Sequence, residues 1–366
     1  MQITRTPRRL DALIGPGSNG TPLSALGSRH AAHRRAFTLI ELLVVIAVIA
    51  VLAGFLLAGV FNVFGTARVA QVSADINSFN KGIAEFGLRY GIHPPSYFVL
   101  YENGPMWGTT PLDQRSRAIV RRVWPSYDFG SHDINGDGDS TDVIRLQGME
   151  SLMFFLGGNS VLIQEDLMLG AGLQQPPAPG FSTNPTNPFI DRFNQSSRSS
   201  KRVGPFFDFD RARFTDVDAD GNPEYMDPIP GQTMPYIYLS GYEGAGYRPF
   251  GPDGMVGTID DEMIAIGSTP LMASAYLIND KNWPNTGGRP DAISTEFINP
   301  KSYQLISPGQ DMQYGAGGGY IRGEGLATFS GMDPYRTRDV RKAEFDNITN
   351  FTGGLIGEQT VDKPAI

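Results

Sequence analysis

The 366-residue chain contains no cysteine. That absence excludes disulfides, thiol nucleophiles and cysteine metal sites. Histidine is nearly as scarce, with His30, His33, His93 and His132 as the full set. No Gly-x-Ser-x-Gly, no His-Glu-x-x-His and no glycine-rich phosphate loop ending in Lys occurs. The usual signatures of acyl transfer, zinc hydrolysis and nucleotide binding are therefore missing. His93 precedes two prolines and His132 abuts an acidic loop, so both are expected to be structural or solvent-facing. The three tryptophans, Trp107, Trp124 and Trp283, are expected in the core rather than on a sugar-binding face. Abundant carboxylates leave a glycosidase formally open, but their regular spacing fits cation ligation better.

Positive charge is scarce outside the N-terminal end. Residues 1–36 hold six arginines and one aspartate, whereas the remainder holds 24 basic against 37 acidic side chains. A basic head on an acidic body fits a cytoplasmic leader followed by an exported domain. It does not fit nucleic-acid binding, which needs a basic face on the folded part. With 44 glycines and 27 prolines, the body reads as strands, turns and loops rather than a helical bundle.

Residues 1–35 mix Pro, Gly, Ser and Arg without periodicity. Arg34-Arg35-Ala36-Phe37-Thr38-Leu39-Ile40-Glu41 follows, and then an uncharged run from Leu42 to Ala67. About 20 apolar helical residues cross a bilayer core, so this run is long enough. A secretory signal peptide has an apolar stretch of only roughly 7–15 residues. An ordinary single-pass anchor fits the length but leaves Glu41 unexplained. A carboxylate near an apolar span costs on the order of 2.5–3.5 kcal/mol on insertion scales, less near the interface, and so calls for a partner.

Arginines, a small residue, Phe-Thr-Leu-Ile-Glu and an apolar run together resemble the prepilin signature of type IV pilin-like proteins and pseudopilins. The resemblance implies cleavage by a prepilin peptidase between Ala36 and Phe37, methylation of the new amine and retention of the apolar run. It also implies that Glu41 pairs with the N-terminal amine of a neighbouring subunit. Two departures stand out: Ala36 replaces the family's usual Gly, and Ala58-Gly59 stands where a mid-span Pro is common. The helix is expected either to be straighter there or to flex at Gly54, Gly59 and Gly65.

Val69, Val72, Ile76, Phe79, Ile83, Phe86 and Tyr90 recur at three- and four-residue steps, which predicts an amphipathic continuation of the helix. It should end near Gly91, before Pro94-Pro95. The division expected is a leader at 1–36, a transmembrane and amphipathic helix at 37–92 and an extracytoplasmic domain at 93–366. The fold class expected is α+β, with the pilin-like long helix packed on a small antiparallel sheet enlarged by loop insertions. Residues 148–158 read as a short buried helix closed by glycine, residues 180–189 as a loop, and residues 235–240 and 302–307 as strands.

Two acidic runs have the spacing of calcium loops. Asp216, Asp218, Asp220, Glu224 and Asp227 occupy positions 1, 3, 5, 9 and 12, with Gly221 at 6 and Asn222 at 7. Alternate carboxylates converge on one point, and Gly permits the turn. Asp133, Asn135, Asp137 and Gly138 match positions 1, 3, 5 and 6, Asp139 follows, and Asp142 is the expected closing residue. Ordinary acidic turns are the alternative. A third run, with Asp253, Asp260 and Asp261, resembles the C-terminal calcium loop of the major pseudopilins of type II secretion. A similar phrase at residues 307–315 carries Asp311, with its acidic tail displaced to Asp346.

Together these readings predict a structural subunit of a type II secretion-like pseudopilus or type IV pilus-like filament, not an enzyme. Its expected place is the bacterial inner membrane, spanned once, and afterwards a periplasmic or cell-surface filament. Its expected partners are the prepilin peptidase, other pilin-like subunits, the inner-membrane assembly platform and membrane lipid. A minor or tip subunit that acts as an anchored adhesin is the alternative, and subunit abundance separates the two.

Overall fold

The computed structural model describes residues 38–108, 110–135, 138–162, 179–189, 201–241, 247–248, 264–266, 269–271, 275–278, 296–315, 317–321, 325–326 and 340–359, without the side chains of 57–62 and some others in the strands. Helix α1 runs from Leu39 to Tyr90, 52 residues, which at 1.5 Å per residue is about 78 Å. It continues unbroken through Gly54, Gly59 and Gly65. It stops where predicted: Gly91 takes φ +71°, open to glycine at little cost, and its amide donates to Gly87 O at 2.8 Å.

The helix crosses between two compact units, residues 1–58 and 59–366. In the first, Leu39–Leu56 is long and apolar enough to cross a membrane, and none of it is buried. In the second, Val72, Ile76, Phe79, Ile83 and Phe86 are each at most 3% exposed. These are the residues that the helical period put on one face, with Val69 and Tyr90 half-buried at its ends.

Aromatic rings fill the space against that face. Phe79 stacks on Phe207, centroids 4.2 Å apart, and meets Tyr236 edge-on at 5.4 Å. Phe86 meets Phe155 and Phe206 edge-on, each at 5.5 Å. Polar contacts fix the register. Asp75 accepts from Arg213 Nη2 at 2.5 Å and from the Tyr236 hydroxyl at 2.9 Å, and the Tyr303 hydroxyl donates to Asn80 Oδ1 at 2.7 Å.

After α1 come strand β1 (Tyr97–Tyr101), helix α2 (Pro111–Val123), strand β2 (Val143–Gln147) and helix α3 (Gly148–Gly157). β1 and β2 pair antiparallel, with Tyr97 opposite Gln147 and Tyr101 opposite Val143. α2 starts with a capping box, in which Thr110 and Asp113 satisfy each other's amides. α3 is buried along its whole length and ends at Gly158, whose φ of +88° is open to glycine. A Cβ there would also strike the Gly180 carbonyl.

Strand Tyr303–Ser307 lies between Ile237–Ser240 and Ile348–Thr349, antiparallel to both. Its alternation explains the core. Tyr236, Tyr238, Tyr303 and Leu305 face the α1 cluster, while Ile237, Leu239 and Ile306 face a second cluster with Tyr276, Tyr320 and Ile356. The α+β class holds. The sheet differs from the single unit predicted: among the described residues it is split into several short ladders, one containing a parallel pair, Leu277–Ile278 with Gly319–Tyr320. Frequent Gly and Pro interrupt strands before they lengthen. Even the predicted loop at 180–189 contributes a two-residue strand, Phe181–Ser182, paired with Arg202–Val203.

Candidate functional site

The first acidic loop wraps around its own leading carboxylate. Asp216 Oδ2 accepts from the Gly221 amide at 3.2 Å. Asp218 Oδ1 accepts from the Asp220 amide at 3.4 Å, and Asp220 Oδ1 from the Asn222 amide at 2.7 Å. Positive φ at Ala219 (+61°) and Gly221 (+92°) makes the curl. Oxygens of Asp216, Asp218 and Asp220 lie within 4.8 Å of one another. A second triad shares Asp218 and adds Glu224 and Glu150. Asp227, the predicted closing residue, is occupied elsewhere. Its Oδ1 accepts from the Ile229 amide at 3.0 Å, and its Oδ2 from Ser307 Oγ at 2.6 Å and Gln232 Nε2 at 3.0 Å. The Asn222 side chain ties the loop to β2 by donating to Arg145 O at 3.0 Å.

Glu150 comes from α3, outside the loop. It sits at the third position of that helix, where its Oε2 accepts from the Gln147 amide at 2.8 Å. The side chain is fully buried, and Oε1 has no hydrogen-bond partner among the described residues. Burial first, then Asp220, Glu224 and Asp218, hold its carboxyl well above the ordinary carboxylate range. Burial and Asp218 push Glu224 up to about 9, and burial and Asp220 push Asp218 to about 6.

The second loop repeats the curl. Asp133 Oδ2 accepts from the Gly138 amide at 3.2 Å, matching the Asp216–Gly221 bond. Asp139 and Asp142 gather with Glu102, oxygens within 4.8 Å, while Asn135 Nδ2 donates to Asp142 Oδ2 at 2.8 Å. Asp137 lies outside the described residues. Glu102, directly after β1, is again an acid from beyond the loop. Its Oε1 accepts from the Ile134 and Asn135 amides at 2.5 and 3.1 Å. It is fully buried, and Oε2 has no partner among the described residues. Burial pushes its carboxyl up to about 7 against the pull of those two amides.

Asp253, Asp260 and Asp261 lie outside the described residues. Asp346 Oδ2 accepts from the amides of Gln310 and Asp311 at 2.6 and 3.0 Å, so the phrase at residues 307–315 does meet Asp346. His93 is exposed, with its ring edge-on to Tyr303 at 5.7 Å. His132 is fixed by Asp128 O at 2.8 Å and Asn187 Nδ2 at 3.2 Å. Trp107 and Trp124 are buried in the α1 core, and Trp283 lies outside the described residues.

At the N-terminal end, Ala36 and Phe37 precede the described residues. Glu41 closes the first turn of α1: its Oε2 accepts from the Thr38 amide at 2.9 Å and from Thr38 Oγ1 at 2.8 Å. Thr38 Oγ1 in return accepts from the Glu41 amide at 3.3 Å. The reciprocal bonds form a capping box, and a carboxylate there also favours the positive end of the helix dipole. The apolar, unburied span begins in the same turn. Residues 32–57 match the family described as the prokaryotic N-terminal methylation motif.

The chain carries a prepilin motif.

The motif is consistent with a pilin-like protein processed by a prepilin peptidase. The match brackets Ala36, Phe37 and Glu41 and covers the N-terminal segment alone. No curated protein and no solved structure matches the chain. The prepilin motif and the apolar helix point to membrane anchoring through the segment that begins at Leu39.

Proposed function

We propose that this protein is a structural subunit of a pilus-like filament, of either the type II secretion pseudopilus or the type IV pilus kind. The observation that carries the reading is the prepilin motif at residues 32–57 joined to a helix whose first eighteen residues are, Glu41 apart, uncharged, and are unburied. Cleavage after Ala36 leaves Phe37 as the methylated N-terminus. Leu39–Leu56 then holds the subunit in the bacterial inner membrane, with the basic leader inside and the acidic body outside. In the filament these apolar side chains exchange lipid for neighbouring helices.

Glu41 has a double role in this reading. Within one chain it caps its own helix through Thr38. In the filament its charge answers the N-terminal amine of the adjacent subunit, which compensates a carboxylate beside an apolar span. The function is structural rather than catalytic. The experiment is to image filaments from a peptidase-competent host with label directed at the body. Label along the whole length is expected. Label confined to the tip would transfer the protein to the minor-adhesin class, and absence from any filament would overturn the proposal.

A further inference from the structure

We propose that Glu150 and Glu102 are calcium ligands supplied from outside the two acidic loops, so that each loop closes over a cation held against a buried glutamate. This rests on the calcium reading of the loops and is independent of the filament reading, which stands on other residues.

The two glutamates share an arrangement that chance acidic turns do not require. Each is fully buried. Each has one oxygen held by a backbone amide and the other without a partner among the described residues. Each lies within 4.8 Å, oxygen to oxygen, of two further carboxylates. The described ionisable groups crowding Glu150 are Asp218, Asp220 and Glu224, all acidic. A buried, unpaired carboxylate oxygen facing other carboxylates is costly unless a cation or a proton compensates it.

A cation fits the spacing. Calcium binds oxygens at 2.3–2.6 Å, so two oxygens on one ion lie at most roughly 5 Å apart. The donors are all oxygen, with no histidine or sulfur, which selects a hard ion. Several carboxylates on a curled, irregular loop suit calcium's flexible shell of about six to eight oxygens better than magnesium's strict octahedron. Glu150 thereby replaces Asp227, whose carboxylate is turned to Ser307 and Gln232.

The placement gives the ions a structural task. β2 begins directly after Asp142 and ends at Gln147, which caps the helix carrying Glu150. One site therefore lies at the entrance of β2 and the other at its exit. Together they tie β1, β2, α3 and both loops in a chain that has no disulfide.

The test uses the full mature chain in detergent, stripped by chelator and titrated with calcium alone by calorimetry. Glu150→Gln and Glu102→Gln keep the shape and remove the charge. Each is expected to weaken one class of calcium sites by about tenfold or more, and Asp218→Asn to do the same at the first loop. In chelator, Glu150→Gln is expected to melt no lower than the parent chain, because it removes an uncompensated buried carboxylate. Should it unfold there, Glu102→Gln decides by the same criterion at the second loop. Calcium affinity lost in Asp218→Asn but intact in both glutamine variants would overturn the inference and leave the loop reading standing. Affinity unchanged in all three would overturn both, without touching the filament proposal.

Discussion

Helix α1 carries two kinds of surface along its sequence. From Leu42 to Leu56 every turn is apolar, and from Leu39 to Leu56 no residue is buried. From Val69 to Phe86 the apolar residues keep to one face, and the body covers it. Helix formation is the same in both; the difference lies in what the side chains are offered. An apolar residue all round demands lipid or other helices, whereas a stripe demands a single folded partner. In the proposed reading the first half is left to the membrane and to other subunits, while the second packs inside its own chain.

That contrast can be broken from either end. The largest effect is expected at Glu41. Glu41→Ala should abolish incorporation into filaments, because the span loses the charge that answers the neighbouring amine. The body should fold and export as before, since among the described residues the Glu41 carboxylate is hydrogen-bonded to Thr38, in its own helical turn. Comparing filament and membrane fractions by immunoblot, in a strain with no other copy, checks this; normal incorporation would remove Glu41 from assembly.

In the second half the cost moves from assembly to folding. Phe79→Ala removes a fully buried ring packed on Phe207 and Tyr236 and should destabilise the body by about 3–5 kcal/mol. Ile49→Ala, in the exposed half, should leave the body's unfolding midpoint within about 0.5 kcal/mol of the parent. Denaturant unfolding in detergent, followed by near-ultraviolet dichroism, reads both. Equal effects would mean that the two halves do not differ as described.

A smaller effect is expected at the polar lock on the buried stripe. Asp75→Ala leaves the Tyr236 hydroxyl without its acceptor and Arg213 without its ion pair. The expected loss is about 1–3 kcal/mol, read by the same unfolding curves. Restoring an acceptor with Asp75→Asn should recover part of it.

What the sequence revealed follows the range of the interactions. Both halves of α1 were legible because period and composition are local. So were α3, closed by Gly158, and the paired strands at Ile237–Ser240 and Tyr303–Ser307. Helix α2 was missed although Thr110-Pro111-Leu112-Asp113 is a start signal and Ser116, Ile119, Val120 and Val123 keep the helical spacing of a buried face. The curled loops were visible from their Asp spacing, but Glu102 and Glu150 were not. They reach the loops from elements 31 or more residues away, through contacts that no local pattern encodes. The available signal was a lone acid at the edge of an apolar run, as in Gly148-Met149-Glu150-Ser151-Leu152.

The whole comparison depends on the first half of α1 being kept in the mature protein while residues 1–36 are lost. Intact mass and N-terminal sequencing of the protein from a peptidase-competent host test this most directly. The account predicts a chain that starts at N-methylated Phe37 and retains Leu39–Leu56. A mature chain that begins at Met1, or downstream of the apolar span, would contradict it.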